Sequence, residues 1–415
     1  MMRAPDRPYL LDVTRLVARS WTGRRATGID RVCLAYLRHF RTKARAVVQY
    51  RGVVRALPVA QSDMLFDMLE GSDARFRREL MRITPATLFS RSTNPAVAGA
   101  TYINCSHTDF DLAGHSRWVN ANSLRPVYFL HDLIPITHPE LCRPVAVRRH
   151  LQRLLSALRM ASGIIVNSQS TAEELRRFAQ DRQQDCPAIV TAPLAGANLR
   201  ARHAPPAAQA AGSARGSGQK PYFAVVGTIE PRKNYLMLLR IWSRLAERLG
   251  ALTPRLVIAG QWGQDAAHVR RVQKELALLS AHVEVAPACD DRRVGEIVSG
   301  AQALLLPTLA EGFGLPLVES LALGTPVIAS DLPSLRETGQ GIPLFLTPGS
   351  DDCWHDAIAA FSGPFSDRER QVRMISRFTP PTWQEHFARV EPWLGQLPTP
   401  FPVPSEVDQL QCLRA

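Results

Sequence analysis

The sequence predicts an α/β protein of two Rossmann-like domains, each built on a doubly wound parallel sheet, that face each other across a cleft. Its 415 residues exceed what one hydrophobic core normally supports. In both halves, short apolar runs of strand length alternate with helical patterns. Between the halves, residues 204–220 are rich in Ala, Gly and Ser and lack apolar periodicity, which indicates a flexible linker.

The N-terminal half, residues 1–203, contains a series of segments that would build the first sheet and its helices. In chain order they are YLLDVTRL, GIDRVCLAYLRHF, VVQYRGVV, TYINCSH, RPVYFLHDLIP and GIIVNSQST. The last one ends in Ser and Thr residues followed by acidic residues, which is typical of a helix start.

The C-terminal half, residues 221–375, repeats this alternation. Its predicted strands lie in PYFAVVG, RLVIAG, HVEVA, AQALLLPT and TPVIAS. Ligands of such sheets bind at the carboxyl ends of the strands, where Gly227, Gly260 and Glu311 fall.

The most informative segment places two carboxylates, Glu311 and Glu319, eight residues apart around a predicted helix start. Pro316 suits the first turn of a helix and Gly324 suits its end, so we expect a helix over residues 315–323. Because Glu319 lies one turn inside that helix, its carboxylate is expected to point back toward a ligand at the helix start. A carboxylate is a good bidentate acceptor for the diol of a ribose.

The backbone before this helix is suited to an anion or a sugar. The free N–H groups of Phe313, Gly314 and Leu315 would face the ligand, together with the positive end of the helix dipole. Phosphate or sugar hydroxyls would fit there. The alternative is that both glutamates are solvated carboxylates near a helix start, where acidic residues are favoured anyway.

The stretch from Glu311 to Asp331, EGFGLPLVESLALGTPVIASD, resembles the E-x7-E signature of retaining GT-B glycosyltransferases of the family 4, group 1 type, which includes bacterial mannosyltransferases of surface polysaccharide synthesis. The resemblance implies the GT-B fold, with Glu311 beside the donor sugar and Glu319 on the ribose. It also implies that residues 376–395 form a closing helix that crosses back to the N-terminal, acceptor-side domain. The Pro-rich residues 396–415 are expected to be loosely ordered.

A second candidate site lies before the helix that follows the first C-terminal strand. Arg232 and Lys233 precede that helix and could reach a diphosphate. Lysine is rare in this chain, with four lysines against 46 arginines, so its presence at this turn favours a function. The family has an arginine where this chain has Thr228, and Arg232 would take its place as in EPRKN variants of the family. The alternative is a basic surface turn.

The N-terminal half contributes further candidates at its strand ends. The segment TGIDRV resembles family members in which this loop closes over the donor diphosphate, which assigns Gly28 to that group. HDLIP matches the histidine of the family that reaches the donor sugar, so His131 is a predicted catalytic residue beside Glu311. Asp132 next to it and His107, at a similar strand exit, are predicted to contact the sugar. The alternative for a histidine after a strand is a structural role.

Composition limits the kinds of bound metal, the cellular location and the partners that we expect for the protein. Seven scattered cysteines without a C-x-x-C pair indicate neither a disulfide framework nor a zinc site and fit a reducing cytoplasm. Neither a signal-peptide core nor an apolar run of membrane-spanning length is found, so we expect a cytoplasmic protein that is soluble or peripheral on the inner face of the cytoplasmic membrane. The net charge is +13, and residues 1–60 hold 13 Arg or Lys against 3 Asp or Glu.

The basic excess favours an anionic partner. No nucleic-acid-binding motif accompanies it, so we do not expect a nucleic acid. An anionic membrane surface or a polyprenyl-diphosphate-linked acceptor explains the charge, and so does an arginine-rich solvated surface.

The sequence therefore predicts a retaining glycosyltransferase that moves a hexose, first of all mannose from GDP-mannose, from a nucleoside diphosphate sugar to a growing bacterial surface glycan. No metal or other cofactor is expected, because the helix dipole, Arg232 and Lys233 could neutralise the leaving diphosphate. In the family, the leaving phosphate is thought to help deprotonate the acceptor on the same face. A catalytically idle glycan-binding or scaffold subunit of the same fold is the alternative.

Overall fold

The computed structural model describes residues 7–23, 27–71, 76–78, 80, 97–197, 220–287, 289–362 and 367–398. Of the predicted linker only Lys220 belongs to these residues. The predicted tail lies outside them beyond residue 398.

The N-terminal domain is built on a seven-stranded sheet with the order β3-β2-β1-β4-β5-β6-β7. Its strands are β1 (Tyr9–Asp12), β2 (Ala44–Tyr50), β3 (Val53–Ala56), β4 (Thr101–Asn104), β5 (Arg125–Leu130), β6 (Gly163–Val166) and β7 (Ile189–Thr191). The helices are α1 (Thr14–Thr22), α2 (Gly28–Phe40), α3 (Val59–Glu70), α4 (Ala113–Ala121), α5 (Ile134–Thr137), α6 (Pro144–Met160) and α7 (Gln169–Gln180).

One edge of this sheet departs from the predicted parallel arrangement. β3 pairs with β2 in antiparallel fashion, so the segment VVQYRGVV is a hairpin. Its two turn residues, Arg51 and Gly52, have φ values of 50° and 81°. Two successive positive φ values match the twist of the paired strands, and a glycine at the second position makes that turn accessible.

The C-terminal domain is built on a six-stranded parallel sheet with the order β10-β9-β8-β11-β12-β13. The strands are β8 (Tyr222–Val226), β9 (Arg255–Ala259), β10 (Val283–Ala286), β11 (Leu304–Leu306), β12 (Val327–Ser330) and β13 (Leu344–Leu346). The helices are α8 (Tyr235–Leu249), α9 (Ala266–Leu278), α10 (Asp291–Ser299), α11 (Leu315–Leu323), α12 (Pro333–Gly339), α13 (Asp351–Phe361) and α14 (Asp367–Ile375). The predicted fold class is confirmed, since both sheets are of the Rossmann-like type with crossover helices between parallel strands.

The last helix, α15 (Trp383–Gln396), packs against the N-terminal domain. Its Phe387 ring stacks on His39 of α2, with centroids 3.8 Å apart. Its His386 Nε2 lies 2.9 Å from the Tyr36 hydroxyl, also on α2. The chain therefore crosses between the sheets a second time, after the first crossing that follows β7.

Two general features of the described residues complete the fold. Five cysteines among them, Cys33, Cys105, Cys142, Cys186 and Cys353, carry free thiols. Within the same part of the chain, helices of bilayer-spanning length and apolarity are absent.

Candidate active site

The candidate site lies where the carboxyl ends of β8 and β11 face the N-terminal domain. Helix α11 begins after Gly314, whose φ of 88° favours glycine, and it spans the predicted residues 315–323. Gly312 lies so close to the N-terminal domain that a Cβ atom there would be 2.4 Å from the His131 carbonyl oxygen. The loop with Glu311 therefore packs directly against the HDLIP segment, and a side chain at residue 312 would push the domains apart.

Glu311 is paired with both predicted diphosphate-binding residues. Lys233 Nζ contacts Glu311 Oε2, and Arg232 Nη1 lies 3.3 Å from the same oxygen. A short 3-10 turn over Pro231–Lys233 presents the two basic side chains. The Arg232 carbonyl accepts hydrogen bonds from Leu309 N at 2.7 Å and from Thr308 Oγ1 at 3.0 Å. These bonds fix the turn after β8 to the loop after β11.

The pairing determines the charge state of Glu311. Burial raises the pKa of its carboxyl, but the attraction of Lys233 and Arg232 outweighs burial and holds that pKa below its usual value. Burial lowers the pKa of Lys233 despite the attraction of Glu311. Ser334 Oγ donates to the Glu311 carbonyl at 2.5 Å and fixes the backbone there. Glu311 is thus an ionised, immobilised carboxylate at the cleft.

Glu319 has different surroundings. It is 5% exposed, and its Oε1 accepts hydrogen bonds from Arg31 Nη1 at 2.7 Å and from the backbone N–H of Ala197 at 2.9 Å. Arg31 belongs to α2 of the N-terminal domain and its Nη2 contacts Asp291 at the start of α10. Burial raises the pKa of Glu319, and Arg31 and the Ala197 N–H oppose that shift only in part.

His131 follows β5 directly and is 6% exposed. Its Nε2 lies 2.8 Å from the Cys105 carbonyl oxygen, which can only accept, so Nε2 carries the proton. Its ring stacks on Phe129 at 4.5 Å. Burial lowers the pKa of His131 to about 4, so the ring is neutral at pH 7 and Nδ1 is an acceptor. The structure thus brings His131 to the cleft with one ring nitrogen bound to the backbone of its own domain.

His107 and Asp132 border His131. His107 has a φ of 61° and its Nε2 accepts from the His131 backbone N–H at 3.4 Å. Burial holds the pKa of His107 well below its usual value. Asp132 Oδ1 accepts from the N–H of Ile134, the first residue of α5, at 3.1 Å. Both residues lie on the N-terminal side of the cleft.

Gly28 is the first residue of α2, and Phe313, Gly314 and Leu315 form the start of α11. These two helix starts adjoin, because a Cβ atom on Gly28 would lie 3.2 Å from Leu315 Cδ1. Thr27 and Asp30 form a capping box at the start of α2. The structure therefore brings the predicted diphosphate-binding glycine against the loop of the other domain.

Several residues of the interface were missed by sequence reasoning. Ser168 Oγ donates to the Gly312 carbonyl at 2.9 Å, and the N–H groups of Gln169 and Ser170 at the start of α7 donate to Glu337 at 2.8 and 3.2 Å. Arg31, in the TGIDRV segment, was not singled out. The available signal was a charged pair, Asp30 and Arg31, in the first turn of a helix at the cleft, but the partner that Arg31 contacts depends on how the two domains are oriented.

Open space lies on the Glu319 side of the cleft. A cavity of about 1080 Å³ is lined by Arg31, Asp291 and Gly196 and by the Trp383 and Phe387 rings, among other residues. Lys233 and Glu311 do not line it. The loop with Glu311 is instead packed against the N-terminal domain.

Comparisons with known proteins agree with this architecture. HepE from Anabaena, solved in complex with UDP-glucose, superposes with a TM-score of 0.64 at 12% identity, covering 94% of this chain and 99% of that chain. The fold and the cleft define the class: this is a protein of the GT-B glycosyltransferase fold.

The sequence match points the same way. Residues 213–375 match the family model described as glycosyl transferases group 1. D-inositol 3-phosphate glycosyltransferase from Nocardia farcinica is 28% identical over 288 residues, which are 66% of this chain and 61% of that protein. The serotype-specific mannosyltransferase WbdA from Escherichia coli is 28% identical over 222 residues, 51% of this chain and 27% of that protein. The match thus spans about three fifths of the first relative and a smaller share of the second.

Proposed function

We propose that the protein is a retaining glycosyltransferase that moves a hexose from a nucleoside diphosphate sugar to a growing bacterial surface glycan. One observation carries the proposal: Glu311, Lys233 and Arg232 converge at the carboxyl ends of β8 and β11, against His131 of the other domain. This is the place where doubly wound sheets bind ligands, and it combines anion-binding groups with a fixed carboxylate.

In the proposed arrangement, Arg232 and Lys233 bind the diphosphate of the donor. The negative charge of the diphosphate then shares the two basic side chains with Glu311, which pairs with both of them when no donor is bound. The N–H groups of Phe313, Gly314 and Leu315 bind the transferred sugar at the start of α11. Gly28 brings the start of α2 close enough to cover the diphosphate. These groups stabilise negative charge on the leaving diphosphate, so we expect transfer to persist in the presence of EDTA.

Glu311 remains ionised because two basic groups hold its pKa low. Its negative charge lies where positive charge develops on the sugar as the bond to phosphate breaks. His131 is neutral, and its unprotonated Nδ1 can accept a hydrogen bond from a hydroxyl at the transferred sugar. It belongs to the N-terminal domain, where His107 and Asp132 lie next to it. Glu319 binds the ribose.

For the donor we propose mannose carried by GDP. The support is the similarity to the relative named as a mannosyltransferase of Escherichia coli. The acceptor is proposed to be linked to a polyprenyl diphosphate, since residues 1–60 carry a large basic excess that would attract an anionic lipid head group at the membrane.

A thermal-shift screen with GDP, UDP, ADP and dTDP tests the nucleotide. Only a ligand that binds the native state raises the melting temperature, by an amount that grows with its concentration over Kd. We expect GDP to give the largest shift, and a larger shift with UDP would replace GDP-mannose by a uridine donor.

Release of free sugar from the matching nucleotide sugar then separates an enzyme from an idle subunit. Slow donor hydrolysis that disappears in Glu311→Gln supports the proposal. Tight nucleotide binding without hydrolysis, and without transfer to lipid-linked glycan, would identify a catalytically idle glycan-binding protein.

A further inference from the structure

Arg31 connects three elements that meet only when the two domains are together. It lies on α2 of the N-terminal domain, while both of its acidic partners lie on the C-terminal domain, Glu319 on α11 and Asp291 at the start of α10. Its side chain is 28% exposed, whereas that of Glu319 is 6% exposed. A guanidinium presents several N–H donors in one plane, so it can hold two carboxylates at once.

Among the described residues, the hydrogen bonds to the Glu319 carboxylate converge on one of its two oxygens. Arg31 and the Ala197 N–H both donate to Oε1. Gly196 packs against the same side chain so closely that a Cβ atom there would lie 2.9 Å from Glu319 Cγ. The carboxylate is therefore fixed in direction, and within the described part of the chain Oε2 is the oxygen available to accept from a hydroxyl.

We infer that Arg31 is a positioning residue, supplied by the N-terminal domain, that orients the Glu319 carboxylate for the ribose of the donor. The inference rests on the proposed function, since it takes Glu319 as the ribose-binding group. Its consequence is that ribose recognition depends on the opposite domain, although the nucleotide itself lies on the C-terminal domain.

The charges around Glu319 give this role a pH dependence. Burial raises the pKa of Glu319, Arg31 from α2 and the Ala197 N–H lower it, and Asp291 from α10 raises it. Loss of the Arg31 charge moves this pKa further up. Because the ionised carboxylate is the better hydroxyl acceptor, ribonucleotide binding should then fail at a higher pH than in the wild type.

The test compares a ribonucleotide with its 2′-deoxy counterpart, because only the former presents the diol. Calorimetry is performed with GDP and 2′-deoxy-GDP, or with UDP and 2′-deoxy-UDP if UDP stabilises the wild type more. In Arg31→Gln we expect Kd for the ribonucleotide to rise about tenfold while Kd for the deoxynucleotide changes little. Arg31→Lys keeps the charge but loses the planar fork, so it should recover part of the discrimination.

Arg240→Gln is the matched control. Arg240 lies on α8, is 55% exposed, pairs with Asp351 and does not line the cavity beside Arg31. It should behave as the wild type. In Arg31→Gln, but not in Arg240→Gln, the midpoint at which ribonucleotide binding is lost on acidification should move to higher pH.

The outcomes separate the inference from the proposal beneath it. A wild type that binds both nucleotides equally would overturn the ribose assignment of Glu319 and, with it, the role of Arg31. If the wild type and Arg31→Gln both prefer the ribonucleotide over the 2′-deoxynucleotide to the same extent, the role of Arg31 alone is overturned. An equal loss of both nucleotides in Arg31→Gln would show a structural effect on the cleft and also contradict the inference.

Discussion

The regions around Glu311 and Glu319 both bury a carboxylate, but the basic groups that compensate its charge come from different domains. Glu311 is neutralised within its own domain by Lys233 and Arg232, and its pKa lies below the usual value. Glu319 is neutralised from the other domain by Arg31, and its pKa lies above the usual value. The difference indicates that the charge at Glu311 is a fixed property of the C-terminal domain, whereas the charge at Glu319 depends on how the domains meet.

The largest effect is expected from Glu311→Gln. Removing a charge that acts mainly in the transition state should lower kcat by about 100-fold or more, with a small change in the donor KM. Steady-state kinetics at saturating acceptor measure both constants. Glu247→Gln, on the exposed face of α8, is the control and should leave both unchanged. A variant of Glu311 that turns over like the wild type would remove this carboxylate from the chemistry.

Lys233→Ala should weaken nucleoside diphosphate binding by roughly 1.5–3 kcal/mol, the typical contribution of a charged hydrogen bond. Calorimetry with the nucleotide chosen by thermal shift measures it. The same change removes the main attraction that lowers the pKa of Glu311, so the acid limb of the pH–kcat profile should move to higher pH. Unchanged affinity would show that Lys233 serves only to pair Glu311.

Glu319→Gln should raise the donor KM by about tenfold and leave kcat nearly constant, because an interaction of equal strength in ground and transition states changes KM alone. Steady-state kinetics of Glu319→Gln and Glu311→Gln, measured side by side, show whether the first variant changes mainly KM and the second mainly kcat. If Glu319→Gln lowered kcat and Glu311→Gln raised KM, the two roles would have to be exchanged.

The smallest effect concerns stability and has opposite signs at the two sites. The lowered pKa of Glu311 adds stability that is present at neutral pH and lost as pH falls through that pKa. The raised pKa of Glu319 adds stability at low pH that is lost as pH rises through it. Relative to the wild type, the Tm of Glu311→Gln should therefore fall more at pH 7 than at pH 4. The Tm of Glu319→Gln should fall less at pH 7 than at pH 4. Thermal unfolding at both pH values checks this, and parallel behaviour of the two variants would contradict the opposite shifts.

Much of the fold could be predicted from the sequence because local chemistry determines it. Apolar runs marked the strands, and Pro316 with Gly324 marked both ends of α11. The hairpin turn at Arg51 and Gly52 was missed, since the apolar run hid the reversal. The fold class was confirmed, and the family resemblance agrees with the group 1 model match over residues 213–375, while the roles of the individual site residues stay predictions.

The partners of the site residues were harder to predict than their positions. Arg31 and Glu319 are 288 residues apart in the chain, and their contact depends on the orientation of two domains. The Nε2 proton of His131 follows from the Cys105 carbonyl, which no spacing in the sequence reveals. Strand ends and helix starts place side chains at the cleft, but the network among them is a tertiary property.

Helix α15 limits how the cleft can open. It follows the C-terminal domain in the chain but is fixed to α2 of the N-terminal domain by the stacked rings of Phe387 and His39. Just before this helix, the Gln340 side chain of the C-terminal domain donates to the Thr379 carbonyl at 2.9 Å. The hinge at this crossing is therefore confined to the few residues between Thr379 and Trp383, and contacts across the cleft that lie farthest from it separate most when the domains turn.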